Sequence, residues 1–121
     1  MKKIFVLFFI ISSLAFSTTI DELAYQVAVI NNNGAISKND ISVKRSKYLL
    51  QNISKHVVET PQQVADMSVI GMQSLENKYG IKVSLITILE EMNKTLMSAD
   101  LPSNQKYLDL LTMYVLLLAN G

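Results

Sequence analysis

Two tetrads, Thr19-Ile20-Asp21-Glu22 and Thr60-Pro61-Gln62-Gln63, constrain this chain more than any other feature of its 121 residues. In each, a threonine hydroxyl stands where it can accept from the backbone N–H three residues on, while the Glu or Gln there reaches back to the threonine's own N–H. Two helix starts are thereby fixed. Pro61 strengthens the second, because the first helical position has no N–H bond to lose. Breakers set the remaining boundaries: Asn33-Gly34 and Gly80 suit left-handed helix exits, and Pro102 pushes Leu101 away from helical angles.

The spacing between these marks predicts five helices. The first, capped by Thr19, runs to about residue 31 with Leu23, Val27 and Ile30 on one side and Ile20 and Ala24 beside them. The second opens near Ser37, takes Asp40 into its first turn and extends to about residue 58. It gathers Val43, Leu49, Leu50, Ile53 and Val57 on one face and Lys44, Lys47, Gln51 and Lys55 on another. The third spans 60–80 and buries Val64, Ser68, Gly71, Met72, Leu75 and Tyr79. Gly71 at its middle costs about 1 kcal/mol relative to Ala, so either another helix crosses closely there or the helix is locally weak. The fourth, 84–98, is the best amphipath, with Leu85, Ile88, Leu89, Met92 and Leu96 as its stripe. The entry at 81–83 is β-branched enough for a short strand, but the three-and-four spacing persists for several turns and favours helix.

The last helix, expected over 104–119 with Ser103 as cap, differs from the others. Its polar stripe is only Gln105, Asp109 and Thr112, so apolar side chains span roughly 220° where a surface helix hides about 100°. Such a helix is either the centre of a bundle or half of an interface. Short connections between five helices imply an all-α fold, a small antiparallel bundle.

The N-terminal end obeys different rules. Lys2 and Lys3 precede a stretch over 4–16 that is apolar but for Ser12 and Ser13, and Ala15-Phe16-Ser17 offers small residues for signal-peptidase cleavage. Its thirteen residues fall short of the roughly 20 that span a bilayer. The expectation is a signal peptide over 1–17, a single helical domain over 18–121 with no stable membrane span once the leader is gone, and a periplasmic or secreted location. The full chain has 11 Lys and Arg against 10 Asp and Glu; removing Lys2 and Lys3 leaves 9 against 10, a nearly neutral domain. With no cysteine there is no disulfide, and packing alone holds the fold.

Several chemistries can be tested against residues and found wanting. Aligned on Gly34, an EF-hand loop would need an acid at its first position, where this chain has Val29, and its third and fifth positions are the neutral Asn31 and Asn33. Ser103 and Lys106 match Ser-x-x-Lys, but the companion motifs of that enzyme class are missing, and Ser103 suits a helix cap. His56 is the one histidine; Glu59 at i+3 could orient it, yet no nucleophile accompanies it. Glu90 and Glu91 point about 100° apart on a helix and cannot share an ion. Asn52 and Asn93 head Asn-x-Ser/Thr triplets, both inside expected helices. No catalytic residue, cofactor site or metal site is expected.

What remains is recognition. Lys38, Lys44, Arg45, Lys47 and Lys55 put five of the nine basic residues of the domain on or beside one helix. No aromatic ladder interleaves them and the charge excess is small, which argues against nucleic acid and allows a protein partner with an acidic surface. The expected function is an exported protein-binding module, comparable in size to inhibitor, immunity or envelope adaptor proteins. Its contact residues are expected to be Lys44, Lys47, Gln51, Lys55 and the apolar Ile70, and the last helix leaves room for a homodimer. The alternative is a small hydrophobic-ligand carrier with Tyr79, Met92 and Tyr114 around a cavity.

Overall fold

A computed structural model describes residues 19–98 and 101–121. The expected signal peptide lies outside the described residues. Among those described there are five helices and no strands: α1 (Ile20–Asn32), α2 (Ile41–Ser54), α3 (Pro61–Tyr79), α4 (Leu85–Ser98) and α5 (Tyr107–Asn120). No described helix is long and apolar enough to cross a membrane.

Both capping boxes form. The Thr19 hydroxyl accepts from Glu22 N at 3.1 Å while the Glu22 carboxylate accepts from Thr19 N, and Thr60 and Gln63 repeat the pattern with Pro61 at the first helical position. Those hydrogen bonds from the Thr19 backbone and hydroxyl hold the Glu22 carboxyl below its usual range. Helix α1 leaves through Asn33 in the left-handed region (φ 62°), and α3 through Gly80 (φ 67°). The two asparagines at calcium-ligand positions serve the helices instead: the Asn31 carboxamide accepts from Ile86 N at 3.0 Å, capping α4, and Asn33 is the residue through which α1 ends.

Two boundaries differ from expectation. Asp40, not Ser37, caps α2: its carboxylate accepts from the Ser42 hydroxyl and backbone N–H, which hold it below its ordinary range. Helix α2 also stops at Ser54 rather than near residue 58, because the chain turns at Lys55 and His56 and Val57 forms an isolated parallel bridge with Gln105 before α5. Hydrogen bonds run from Val58 N to Gln105 O and from Gln105 N to His56 O.

The core lies where α1, α2, α3 and α4 meet, with Val27, Leu49, Leu50, Ile53, Val64, Leu85, Ile88 and Leu89 fully buried. Burying a side chain of this size contributes about 1.5–3 kcal/mol, so these eight outweigh any surface pair in the molecule. Tyr79, expected in the core, is instead 46% exposed at the end of α3. The two Asn-x-Ser/Thr asparagines face each other, Asn52 donating to Asn93 Oδ1 at 2.6 Å, so both side chains are occupied in a helix contact.

Candidate functional site

Helix α5 packs mainly on α3 and stands at the edge of the bundle rather than at its centre. Only Tyr107 and Leu111 of its residues are buried. Polar ties concentrate at its first turn. The Glu59 carboxylate, 48 residues upstream, accepts from Tyr107 N at 2.7 Å and Leu108 N at 3.2 Å, and so serves as the cap that α5 lacks locally. The Tyr107 hydroxyl meets Ser68 Oγ at 2.6 Å. Because the Ser68 hydroxyl donates to Val64 O at 2.7 Å, Tyr107 is the donor of that pair. Burial pushes the Tyr107 phenol far above its usual titration range.

These ties also dispose of two sequence expectations. Glu59 is turned to α5 instead of orienting His56, which supplies only its backbone oxygen to the Gln105 pairing. Ser103 does not cap α5; it is exposed in a turn, and since α5 starts at Tyr107 no helical turn joins Ser103 to Lys106.

Past the first turn, α5 meets α3 through apolar contact. A Cβ built on Gly71 would lie 3.4 Å from both Leu111 methyl carbons, so the mid-helix glycine is a point where a side chain of another helix packs directly on α3. Alongside that contact runs an open groove of about 220 Å³, with Ile70, Gly71 and Ser74 on one wall and Leu108, Thr112 and Val115 on the other. On its walls stand large apolar side chains in water, Leu108 51%, Leu116 48% and Ile70 47% exposed, while Met113 at 60% and Leu117 at 70% lie further round α5. A side chain of this size presents roughly 200 Å² when free, so the three on the groove offer about 290 Å², near the lower end of what a monomer's largest apolar patch reaches. Residues 110–121 contain no Asp, Glu, Lys or Arg.

The basic residues lie on other surfaces. Lys44 and Lys47 line a cleft of about 450 Å³ with Asp21, Glu22, Tyr25 and Lys38. There Lys47 pairs with Asp21 at 2.7 Å, and the Lys38 ammonium sits 5.6 Å from the Tyr25 ring centre. Arg45 is paired to Glu90 at 3.0 Å. Gln51 and Lys55 border a separate shallow recess with Ile20, Ser54 and Pro61. No residue lines both a basic recess and the α3/α5 groove, so Ile70 stands with the apolar face, and Lys44, Lys47 and Gln51 of α2 with Lys55 just past its end stand with the polar ones. The signal for the apolar face was in the sequence, in the 220° arc of the last helix; the share contributed by Met67 and Ser74 of α3 was not.

Met92 belongs to the core, while Tyr114 is half-buried with its phenol raised by burial and, less, by the Glu91 charge. Among the described residues no three His, Asp or Glu side chains are grouped to hold a metal ion. No known family model, curated protein or solved structure matches this chain.

Proposed function

We propose that this protein is an exported helical protein-binding module without catalytic activity, of the inhibitor, immunity or envelope adaptor kind, working in the periplasm or outside the cell. The observation that carries this is the uncharged apolar groove between α3 and α5, open to water although Tyr107 and Leu111 already tie α5 into the core. Recognition through such a face is driven by removing apolar area from water, and a second copy through α5 is one such partner. The lysines of α2 supply a second contact region suited to acidic groups, with Lys44 and Lys55 exposed and without ion pairs among those found.

A carrier of small hydrophobic ligands is less well supported. Tyr79 and Met92 do not share a cavity wall, one being exposed and the other in the core, and the α3/α5 groove at about 220 Å³ is below the roughly 300 Å³ at which small-ligand pockets begin.

The test is a pull-down from an envelope fraction with wild type, Ile70→Glu and the double variant Lys44→Glu, Lys55→Glu. A protein partner held at high salt and lost with Ile70→Glu is expected. Equal recovery by wild type and Ile70→Glu, or co-purification of a lipid with no protein, would overturn the proposal.

A further inference from the structure

Resting on the reading of the α2 lysines as a contact region for acidic groups, we propose that the cleft between α1 and α2 binds a group carrying two oxyanion charges, held by Lys38 and Lys44 beside Tyr25.

Two helices and the chain between them build the cleft. Helices α1 and α2 run in opposite directions, since Asn32 at the end of α1 meets Ser42 at the start of α2 while Asp21 in the first turn of α1 meets Lys47. Tyr25, four residues on from Asp21, and Lys44, three back from Lys47, therefore stand at one level, a turn away from that ion pair. The connection is tied to the same level, because the Tyr25 hydroxyl donates to Ile36 O at 3.0 Å. Two residues further on, the Lys38 ammonium lies 5.6 Å from the Tyr25 ring centre. Lys38 thus reaches the cleft from the connection and Lys44 from α2.

Both carboxylates that line the cleft are engaged. Asp21 is held by Lys47 at 2.7 Å, and Glu22 accepts from the Thr19 backbone N–H and hydroxyl, each at 3.1 Å. Those Thr19 bonds are what chiefly holds the Glu22 carboxyl low, and the Lys38 charge contributes least. Among the described residues neither Lys38 nor Lys44 has an ion pair, and both are exposed. Half-buried Gln26 lines the same cleft, and its carboxamide has no hydrogen-bond partner among the described residues, so two N–H donors join the two ammonium groups. Ammonium groups act as point charges and suit carboxylate or phosphate oxygens without a fixed angle of approach. Two uncommitted positive charges are matched by two negative ones.

Size says what bears those charges. At about 450 Å³ the cleft falls within the range of small-molecule sites and exceeds a lone phosphate, and Val43 and the Tyr25 ring give it an apolar wall. It fits a free organic dianion or two adjacent acid side chains of a protein partner, the same chemistry from two sources.

Amide chemical shifts of the protein expressed from its full reading frame are followed against succinate, phenyl phosphate and acetyl-Glu-Glu-amide, each over about 0.1–10 mM at constant ionic strength. Saturating shifts centred on Tyr25, Gln26, Lys38 and Lys44 are expected, with acetate bound about 5-fold more weakly or less. Lys38→Gln and Lys44→Gln should each weaken binding about 3-fold and the double variant about 10-fold, with helix content unchanged because both side chains are in water. Asp21→Asn releases Lys47 into the cleft and should tighten binding about 3-fold, while Lys94→Gln, exposed on α4, should change nothing. Binding of succinate or phenyl phosphate with the dipeptide silent identifies a free anion as the ligand; tighter binding of the dipeptide identifies acid side chains of a partner. No saturation by any dianion, acetate equal to succinate, or indifference to the double variant overturns the inference. A protein still captured through Ile70 when Lys38 and Lys44 are both neutralised leaves the binding-module function standing, so the two failures are distinguishable.

Discussion

Removing the Glu59 carboxylate tests how α5 is held. The two bonds to Tyr107 N and Leu108 N satisfy amides that a helix start otherwise leaves to water, and they place a negative charge at the positive end of the helix. Losing a cap costs about 0.5–2 kcal/mol, and the charge near the first turn adds about 0.3–1 kcal/mol. Glu59 is only half-buried, which keeps the total for Glu59→Ala near 1.5–2.5 kcal/mol. Glu59→Gln retains one acceptor and should cost about a third to a half of that. At roughly 4–8 °C per kcal/mol for a domain of this size, Glu59→Ala should lower Tm by about 6–20 °C. Thermal melts followed by circular dichroism give the magnitude, and amide hydrogen exchange gives the location. Protection should fall most at Tyr107 and Leu108, through local opening of α5, and less in α1 to α4. A Glu59→Ala protein within about 0.3 kcal/mol of wild type with unchanged protection at those amides would refute the assignment. So would a Glu59→Gln variant as damaged as Glu59→Ala, since acceptor geometry would then count for nothing.

The remaining predictions concern the α3 surface and acid stability. Tyr107→Phe leaves Ser68 bonded to Val64 O and should cost about 0.5–1.5 kcal/mol, while Ser68→Val strands a buried phenol and should cost about 1–3 kcal/mol; urea titrations showing the reverse order would contradict the donor assignment. Gly71→Ala gains about 1 kcal/mol of helix propensity against a Cβ at 3.4 Å from Leu111 and should change stability by less than that, whereas Gly71→Ile must displace Leu111 and should cost about 1–3 kcal/mol in the same titrations. Burial raises the Asp66 carboxyl against an opposing Gln62 hydrogen bond, so its ionised form is penalised in the fold. That penalty is present above its folded pKa and vanishes as pH falls below the ordinary aspartate value. Asp66→Asn should therefore raise Tm near pH 7, with the gain disappearing by about pH 3. Glu22 and Asp40 run the other way. Their lowered carboxyls stabilise above the ordinary acid range and lose that contribution as pH falls through the lowered values, so Asp40→Asn should flatten the acid limb of the melting profile.

The sequence by itself determined every feature whose cause lies within one turn of chain. Thr19 and Thr60 start helices because their partners are three residues away, Asn33 and Gly80 end them because their own backbones accept left-handed angles, and the α4 stripe is the stripe found buried. Errors arose where a local candidate lost to a distant one or to a better neighbour. Ser37 yielded to Asp40, and Ser103 yielded to Glu59, which reaches α5 only once the segment over 56–58 has left helix to pair with Gln105. Asn31 illustrates the same point at α4, since a side chain that a linear pattern offers to calcium is spent on a helix 55 residues away. Above all, the arc of the last helix stated that apolar surface was in excess without saying whether neighbours would cover it. Helix α5 puts only Tyr107 and Leu111 into the core and meets chiefly α3, so the excess faces water. Caps and periodicity are local interactions and are written along the chain; which apolar faces find a partner depends on how many faces the completed packing leaves over, and only the tertiary structure decides that.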